Sequence, residues 1–143
     1  VDFKNTIIIM TSNVGSEYIL EGNDEKVLPE LNKYFKPEFI NRIDEIVVFK
    51  KLTKEVLYEV LDKIINEIDQ RLIDLNLKIN LTQNAKDYFI ENGYNEYFGA
   101  RPLKRLLNRK LETKLAKLII ENKIVPGKDI KIDIKDDNLI IEQ

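Results

Sequence analysis

Three short segments carry side chains suited to phosphate chemistry. Asn13 closes Thr11-Ser12-Asn13 directly after the apolar run Thr6-Ile7-Ile8-Ile9-Met10. Such a run suits a buried strand, and the carboxyl end of a buried parallel strand is where open α/β sheets bind ligands. A short amide there can orient a water beside a terminal phosphate, as glutamine does in other nucleotide hydrolases. The plainer reading is a cap, since Ser12 or Asn13 also suits the start of a helix near residue 16. Arg42 closes the stretch Pro37-Glu38-Phe39-Ile40-Asn41-Arg42 and precedes Asp44-Glu45. Its planar, permanently charged fork matches phosphoryl oxygens, while the two acids offer an ordinary surface ion pair. Arg101 stands in Gly99-Ala100-Arg101-Pro102, where Pro102 opens a helix. A cation at a helix N-terminus is electrostatically misplaced unless an anion joins it, so this position also points to phosphate. Gly99 permits a tight approach there, and Ala100 adds no bulk.

The elements that must hold these residues follow from periodicity. Residues 6–11 and Ile46-Val47-Val48-Phe49 read as buried strands of a parallel sheet. Residues 16–21, 27–35 and 37–42 read as short helices, the last opened by Pro37. From Leu52 the period becomes helical: Val56, Leu57, Val60, Leu61, Ile64, Ile65, Ile68 and Leu72 recur at threes and fours behind the N-cap Thr53. Lys78-Ile79-Asn80-Leu81 reads as a short strand. Thr82 caps a helix over Ala85, Phe89 and Ile90 that ends at Asn92-Gly93, a left-handed C-cap signal. A longer helix over about 102–122 carries Leu103, Leu107, Leu111, Leu115 and Leu118 on one stripe. The alternation of Ile130, Ile132 and Ile134 with charged residues, then Asp136-Asp137-Asn138 and Leu139-Ile140-Ile141, predicts a hairpin. Tyr94, Tyr97 and Phe98 are expected to pack in the core around the Gly99 turn. The expected architecture is an α/β remnant over residues 1–50 and an α+β domain over 51–143, its helices packed with a short, mainly antiparallel sheet. A sheet cannot consist of one strand, and few others are available before residue 46, so the chain is expected to be a piece of something larger.

Composition narrows the function classes. The 143 residues contain neither cysteine nor histidine, which excludes disulfides, zinc–thiolate sites and histidine acid–base work. The net charge is −2 with 34% charged residues, a mixed surface that argues against general nucleic-acid binding. No apolar run reaches membrane-spanning length, and no signal peptide is evident, so a cytoplasmic protein is expected, with an organellar matrix as the alternative. Eighteen lysines stand against five arginines, which gives each arginine more weight. Lys104, Arg105, Arg109, Lys110, Lys114 and Lys117 follow Arg101 along one helix; Glu112 and Glu121 interrupt them, so a solvated face or a subunit contact is expected. No pair of carboxylates has a spacing that suggests acid–base catalysis, and no metal site is expected.

Strand-then-Asn, Asn-Arg-Ile-Asp and Gly-Ala-Arg-Pro, in that order and over nearly the whole chain, resemble the C-terminal part of the second ATPase module of Clp-type AAA+ chaperones. The resemblance implies that residues 1–50 end an AAA+ large subdomain and that 51–143 form its small subdomain. It implies a sensor-1 role for Asn13 and a trans-acting arginine-finger role for Arg42, with Lys36 replacing an arginine many relatives carry. It implies a sensor-2 role for Gly99, Ala100 and Arg101, which feel the nucleotide of their own subunit, with part of the adenine pocket near Tyr94, Tyr97 and Phe98. ATP or ADP with magnesium is the implied cofactor of the larger protein. No Gly-x-x-x-x-Gly-Lys-Ser/Thr loop occurs, and no acidic strand end for magnesium is evident, so no ATP hydrolysis and no tight binding are expected of these residues alone. No Ile/Leu/Val-Gly-Phe/Leu tripeptide lies between Ser16 and Lys26, where relatives that serve a protease carry one. Together with Glu91-Asn92-Gly93-Tyr94 and Val125-Pro126-Gly127-Lys128, this favours the ClpB-type disaggregases. These are hexameric rings that thread aggregated polypeptides, with a co-chaperone, through a central pore. The alternatives are a ClpC- or ClpA-type unfoldase subunit of a protease and a purely structural oligomerisation domain; a winged-helix nucleic-acid binder ranks last.

Overall fold

A computed structural model describes residues 4–143. The chain divides between Lys51 and Leu52 into two compact units, each with its own contacts.

The first unit is built from short helices: α1 (Ser16–Leu20), a 3-10 turn (Asp24–Lys26), α2 (Val27–Tyr34) and α3 (Pro37–Ile40). Gly15 takes a left-handed φ of 77° ahead of α1, and a Cβ there would lie 3.3 Å from Val27 Cγ1, so glycine lets the two segments close on each other. Tyr18 donates its hydroxyl to Glu30 across this contact, and Phe35 stacks on Phe39 with ring centroids 5.4 Å apart. Pro37 occupies the first turn of α3, where its missing N–H costs nothing. Residues 6–11 and 46–49, expected as buried strands, form none: Ile7, Ile8 and Ile9 are 92%, 83% and 84% exposed. A parallel strand exists only by hydrogen bonding to neighbours, and the described residues of this unit supply no partner strand.

The second unit is an α+β domain. Helix α4 (Lys54–Arg71) starts at Thr53, whose hydroxyl accepts the Val56 amide. It turns Leu57, Leu61, Ile64, Ile65 and Ile68 inward. Strand β1 (Ile79–Leu81) follows, then α5 (Gln83–Gly93). Thr82 caps α5 by accepting the Ala85 amide at 3.2 Å and also donates its hydroxyl to Asp133 at 2.6 Å. Helix α6 (Arg101–Leu107) continues through a π-helical segment (Asn108–Glu112) into α7 (Thr113–Ile120). The Thr113 hydroxyl donates to the Asn108 carbonyl five residues back, and Arg71 at the end of α4 pairs with Glu112. Strands β2 (Ile130–Lys135) and β3 (Asn138–Glu142) close the fold as a hairpin.

The sheet is mixed, in the order β1-β2-β3. Ile79 pairs with Ile130 in parallel, and Ile132 with Ile141 in antiparallel register. Ile130 and Ile132 lie fully buried beneath the helices with Leu61, Phe89, Leu103, Leu107 and Leu111. This single apolar cluster fixes the corner between α5 and α6.

One expected turn has a different cause. Gly93 does not leave the helix with a left-handed backbone; it is the last residue of α5, and Tyr94 turns the chain out in an extended conformation. Gly93 is buried, and a Cβ on it would lie 2.7 Å from Leu103 Cδ1 and 2.8 Å from Leu103 Cα. Glycine is needed there for close approach of two helices.

Candidate functional site

The first unit places two of the expected site residues on its surface. Asn13 is exposed, and its carbonyl accepts the Ser16 amide at the start of α1. The cap reading assigned to side chains fails here: the N-terminal residue Gly15 has no side-chain cap, and the Ser12 hydroxyl instead accepts the Val14 amide. The Asn13 amide is therefore not committed to starting the helix. Arg42 follows α3, its backbone N–H bonded to the Phe39 carbonyl at 3.1 Å. It is exposed, and among the described residues it makes no ion pair with Asp44, Glu45 or any other acid.

The second unit builds the corner that carries Gly99, Ala100 and Arg101. Asn95 and Gly99 exchange both backbone hydrogen bonds, at 3.2 and 2.7 Å. The Asn95 side-chain oxygen accepts the amides of Tyr97 and Phe98 at 2.9 and 3.2 Å. Gly99 holds φ at 63°, the left-handed conformation that glycine adopts without strain. Ala100 then precedes α6 with no side chain to cap it; Pro102 has no N–H and the Leu103 amide bonds the Ala100 carbonyl at 3.1 Å, so of the first three positions only the amide of the exposed Arg101 is left open. Leu103, fully buried against Gly93, anchors that first turn to α5.

The structure sorts the basic residues that follow. Lys104 pairs with Glu67 at 2.8 Å, which holds that carboxyl below its ordinary range. Lys110 bonds the Tyr88 hydroxyl and lies 4.8 Å from its ring centre. Lys114 donates to the Leu139 carbonyl, and Lys117 lies 3.9 Å from Glu121. Lys104, Lys110 and Lys114 tie the helix to its own domain, while Lys117 pairs along the helix itself. Arg101, Arg105 and Arg109 are exposed and, among the described residues, have no side-chain partner. Sequence reasoning treated the whole run as one face; only the partners in space separate the two groups.

Tyr97 and Phe98 overturn another expectation. Tyr94 packs on the apolar core, but Tyr97 and Phe98 are 80% and 68% exposed. Their amides are spent on Asn95, which fixes a turn that points outward instead of folding in. A groove of about 340 Å³ lies elsewhere, between α4 and β1, lined by Asp62, Asn66, Asp69, Lys78 and Lys86 among others. In it Asp69 accepts the Ile79 amide at 2.9 Å, while burial raises its carboxyl above the ordinary value. This bond satisfies an edge-strand amide, and no site residue expected from the sequence lies there.

Comparison with known proteins adds the following. A family model described as the C-terminal, D2-small domain of ClpB protein matches residues 52–132. One described as an AAA domain of the Cdc48 subfamily matches residues 1–46. The chain is 46% identical over 155 aligned positions to the chaperone protein ClpB of Aquifex aeolicus, covering 98% of this chain and 15% of that protein. It is 46% identical to ClpB of Clostridium tetani, covering 99% and 17%, and 41% identical to ClpB of Bacillus anthracis with the same coverage. The chain thus spans 15–17% of the length of these curated relatives. Among solved structures, the S. cerevisiae Hsp104:casein complex in its extended conformation is similar, with a TM-score of 0.78 and 33% identity over 96% of this chain and 26% of that one.

Proposed function

The chain belongs to the ClpB family, and from that premise we propose that it is the nucleotide-responsive C-terminal part of the second ATPase module of a ring-forming protein disaggregase. In this reading residues 1–50 end the large AAA+ subdomain and residues 51–143 are the small one. The observation that carries the proposal is Arg42: it is displayed at the end of α3 and ignores the acids two and three residues away. An unpaired, exposed arginine in the Asn-Arg-Ile-Asp stretch is what a trans-acting residue requires, because its anion comes from another subunit.

ATP with magnesium is the group the family implies, and the residues present fit part of it. Arg101, exposed and without a side-chain partner among the described residues, suits a phosphate of its own subunit. Among the described residues no cluster of three or more acidic side chains suits the metal, and the sequence has no phosphate-cradling loop, so the larger protein would supply those parts. A bound nucleotide supplies the phosphoanhydride whose hydrolysis drives movement. This chain's own work is then electrostatic. Arg42 offers its fork to phosphoryl oxygens in the neighbouring subunit. The Asn13 amide holds a water on the same subunit's nucleotide, and Arg101 transmits the state of that nucleotide to α6. The partners are neighbouring copies in a hexameric ring, with aggregated polypeptide and a co-chaperone. The casein in the Hsp104 complex supports a polypeptide substrate. The three relatives above carry the ClpB name, which favours this over a protease-serving unfoldase.

Grafting tests it. The chain replaces the corresponding segment of the Aquifex aeolicus relative, and ATP hydrolysis is measured in rings that mix the graft with its Arg42→Ala form. The expected result is activity below the weighted sum of the two, since each altered subunit silences a neighbour whose own site is intact. Trans-acting arginines contribute about 10³ to 10⁵ in turnover in other nucleotide hydrolases. Simple additivity would return Arg42 to an ordinary surface role.

A further inference from the structure

Asn92-Gly93 is the one Asn-Gly pair in the chain, and the phosphate reading makes no use of its reactivity. Asparagine is thermolabile because the main-chain nitrogen of the next residue can attack its side-chain carbonyl carbon. Glycine in that next position has no side chain to hinder the attack. The reaction needs the Gly93 nitrogen to give up its proton and swing towards the Asn92 side chain. Helix α5 prevents both. In its last turn the Gly93 N–H is a helical donor, directed to the carbonyl four residues earlier, and the Tyr94 amide bonds the Ile90 carbonyl at 3.0 Å. The Asn92 side-chain amide donates to the Tyr88 carbonyl at 2.9 Å. A helix end ordinarily frays. This one is held, because Gly93 is buried with no room even for a Cβ against Leu103, and Leu103 is itself fully buried. Asn92, one residue away, is exposed to water.

We propose that Asn92-Gly93 is a latent site of spontaneous covalent modification, shut by the folded end of α5 and opened when that turn leaves Leu103. In the opened chain the Gly93 nitrogen bonds to the Asn92 side-chain carbonyl carbon and the C–N bond of the side-chain amide breaks. The Gly93 proton leaves with the displaced nitrogen as ammonia. The cyclic succinimide then takes up one water and opens at either carbonyl, leaving aspartate or isoaspartate, and no oxidant, reductant or enzyme is required. Neither product fits the closed turn. A carboxylate cannot donate to the Tyr88 carbonyl, and its charge is unfavourable at a helix C-terminus. Isoaspartate lengthens the main chain by one carbon and shifts Gly93 off Leu103. Each opening that reacts therefore leaves an end of α5 that closes less well, and the corner carrying Gly99 and Arg101 loses its clamp.

The 143-residue chain is incubated at one mildly alkaline pH in native buffer and in guanidinium chloride, then digested, and mass spectrometry reads conversion at Asn92. Conversion should be at least about tenfold slower in the native chain than in denaturant, the factor that about 1.4 kcal/mol of local opening imposes. Leu103→Ala empties the space over Gly93 and should raise the native rate severalfold. Hydrogen exchange of the Gly93 amide in the unaltered chain supplies a second measure that depends on no variant's folding. Its protection should match the slowing of conversion at Asn92, because the same opening frees the nitrogen for both reactions. Equal rates in native buffer and denaturant, or no conversion at Asn92 in denaturant, overturns the proposal. So does a folded Leu103→Ala chain that converts no faster, or a Gly93 protection that departs from the slowing at Asn92 by more than about tenfold.

Discussion

Replacing Gly93 by alanine sets two physical effects against each other, and the structure decides the sign. Gly93 is helical, so on propensity alone alanine should stabilise α5 by about 1 kcal/mol. Its added Cβ would sit 2.8 Å from the Cα of Leu103 and 2.7 Å from its Cδ1. A side-chain tip can rotate away, but a Cα moves only with its helix, so α5 and α6 must part by several tenths of an ångström. Overpacking of this sort costs about 1–3 kcal/mol, and a backbone clash belongs at the upper end. Leu103 is also fully buried in the apolar core, and its displacement loosens that packing. The net expectation is a loss of roughly 2 kcal/mol, since about 3 for the clash is offset by about 1 for propensity. For a domain of this size that lowers the thermal midpoint by roughly 8–16 °C. The assay is a thermal melt of the 143-residue chain followed by far-ultraviolet circular dichroism, with Gly93→Ser as a second variant that should also lose. A midpoint that is unchanged or raised in Gly93→Ala refutes the close-approach argument and leaves propensity in control.

Two further outcomes are expected. Asp69→Asn keeps an oxygen for the Ile79 amide and removes a charge whose burial raises its folded pKa. A carboxyl with a raised folded pKa stabilises least once pH exceeds both its unfolded and folded values, so the substitution should raise the urea midpoint near pH 7 and not near pH 3; an equal change at both would contradict the charge argument. Ile8→Lys should reduce concentration-dependent self-association, because residues 7–10 expose a continuous apolar, β-prone run. Sedimentation velocity reads this directly, and an unaltered chain that stays monomeric at high concentration would show the run to be harmless.

Much of the second unit was legible because its signals are local. Thr53 and Thr82 accept the amides three residues on, as N-caps do, and Ile130, Ile132 and Ile134 alternate inward as a half-buried strand requires. The failures share a different cause: each depended on something distant in the chain. Residues 6–11 and 46–49 carry strand composition, but composition cannot supply the neighbouring strand that turns it into hydrogen bonds. Gly93 after Asn92 reads as a helix end, and the reason it is glycine lies ten residues away in Leu103. Tyr97 and Phe98 read as core because aromatics usually are, and only the hydrogen bonds of Asn95 turn them outward. For the candidate site, the motifs located Asn13, Arg42 and Arg101 in the sequence. That Arg42 shuns Asp44 and Glu45, while Lys104 and Lys110 do not stay free, depends on partners that only the folded chain brings near.

The π-helical segment can be read as a correction of phase. Leu103, Leu107, Leu111 and Leu115 follow one another at intervals of four, and all are at most 2% exposed. On an uninterrupted α-helix each such interval advances about 40° around the axis, so three of them would carry the last leucine roughly 120° off the first. Widening one turn over Asn108–Glu112 absorbs about one residue, or roughly 100°, and returns Leu115 to the side that Leu103 faces. The spacing and the bulge are therefore the same fact written twice. A relative that lacks one residue here could keep both leucine faces on a plain α-helix, and an alignment should place its gap between Leu107 and Leu115 rather than in the loops on either side.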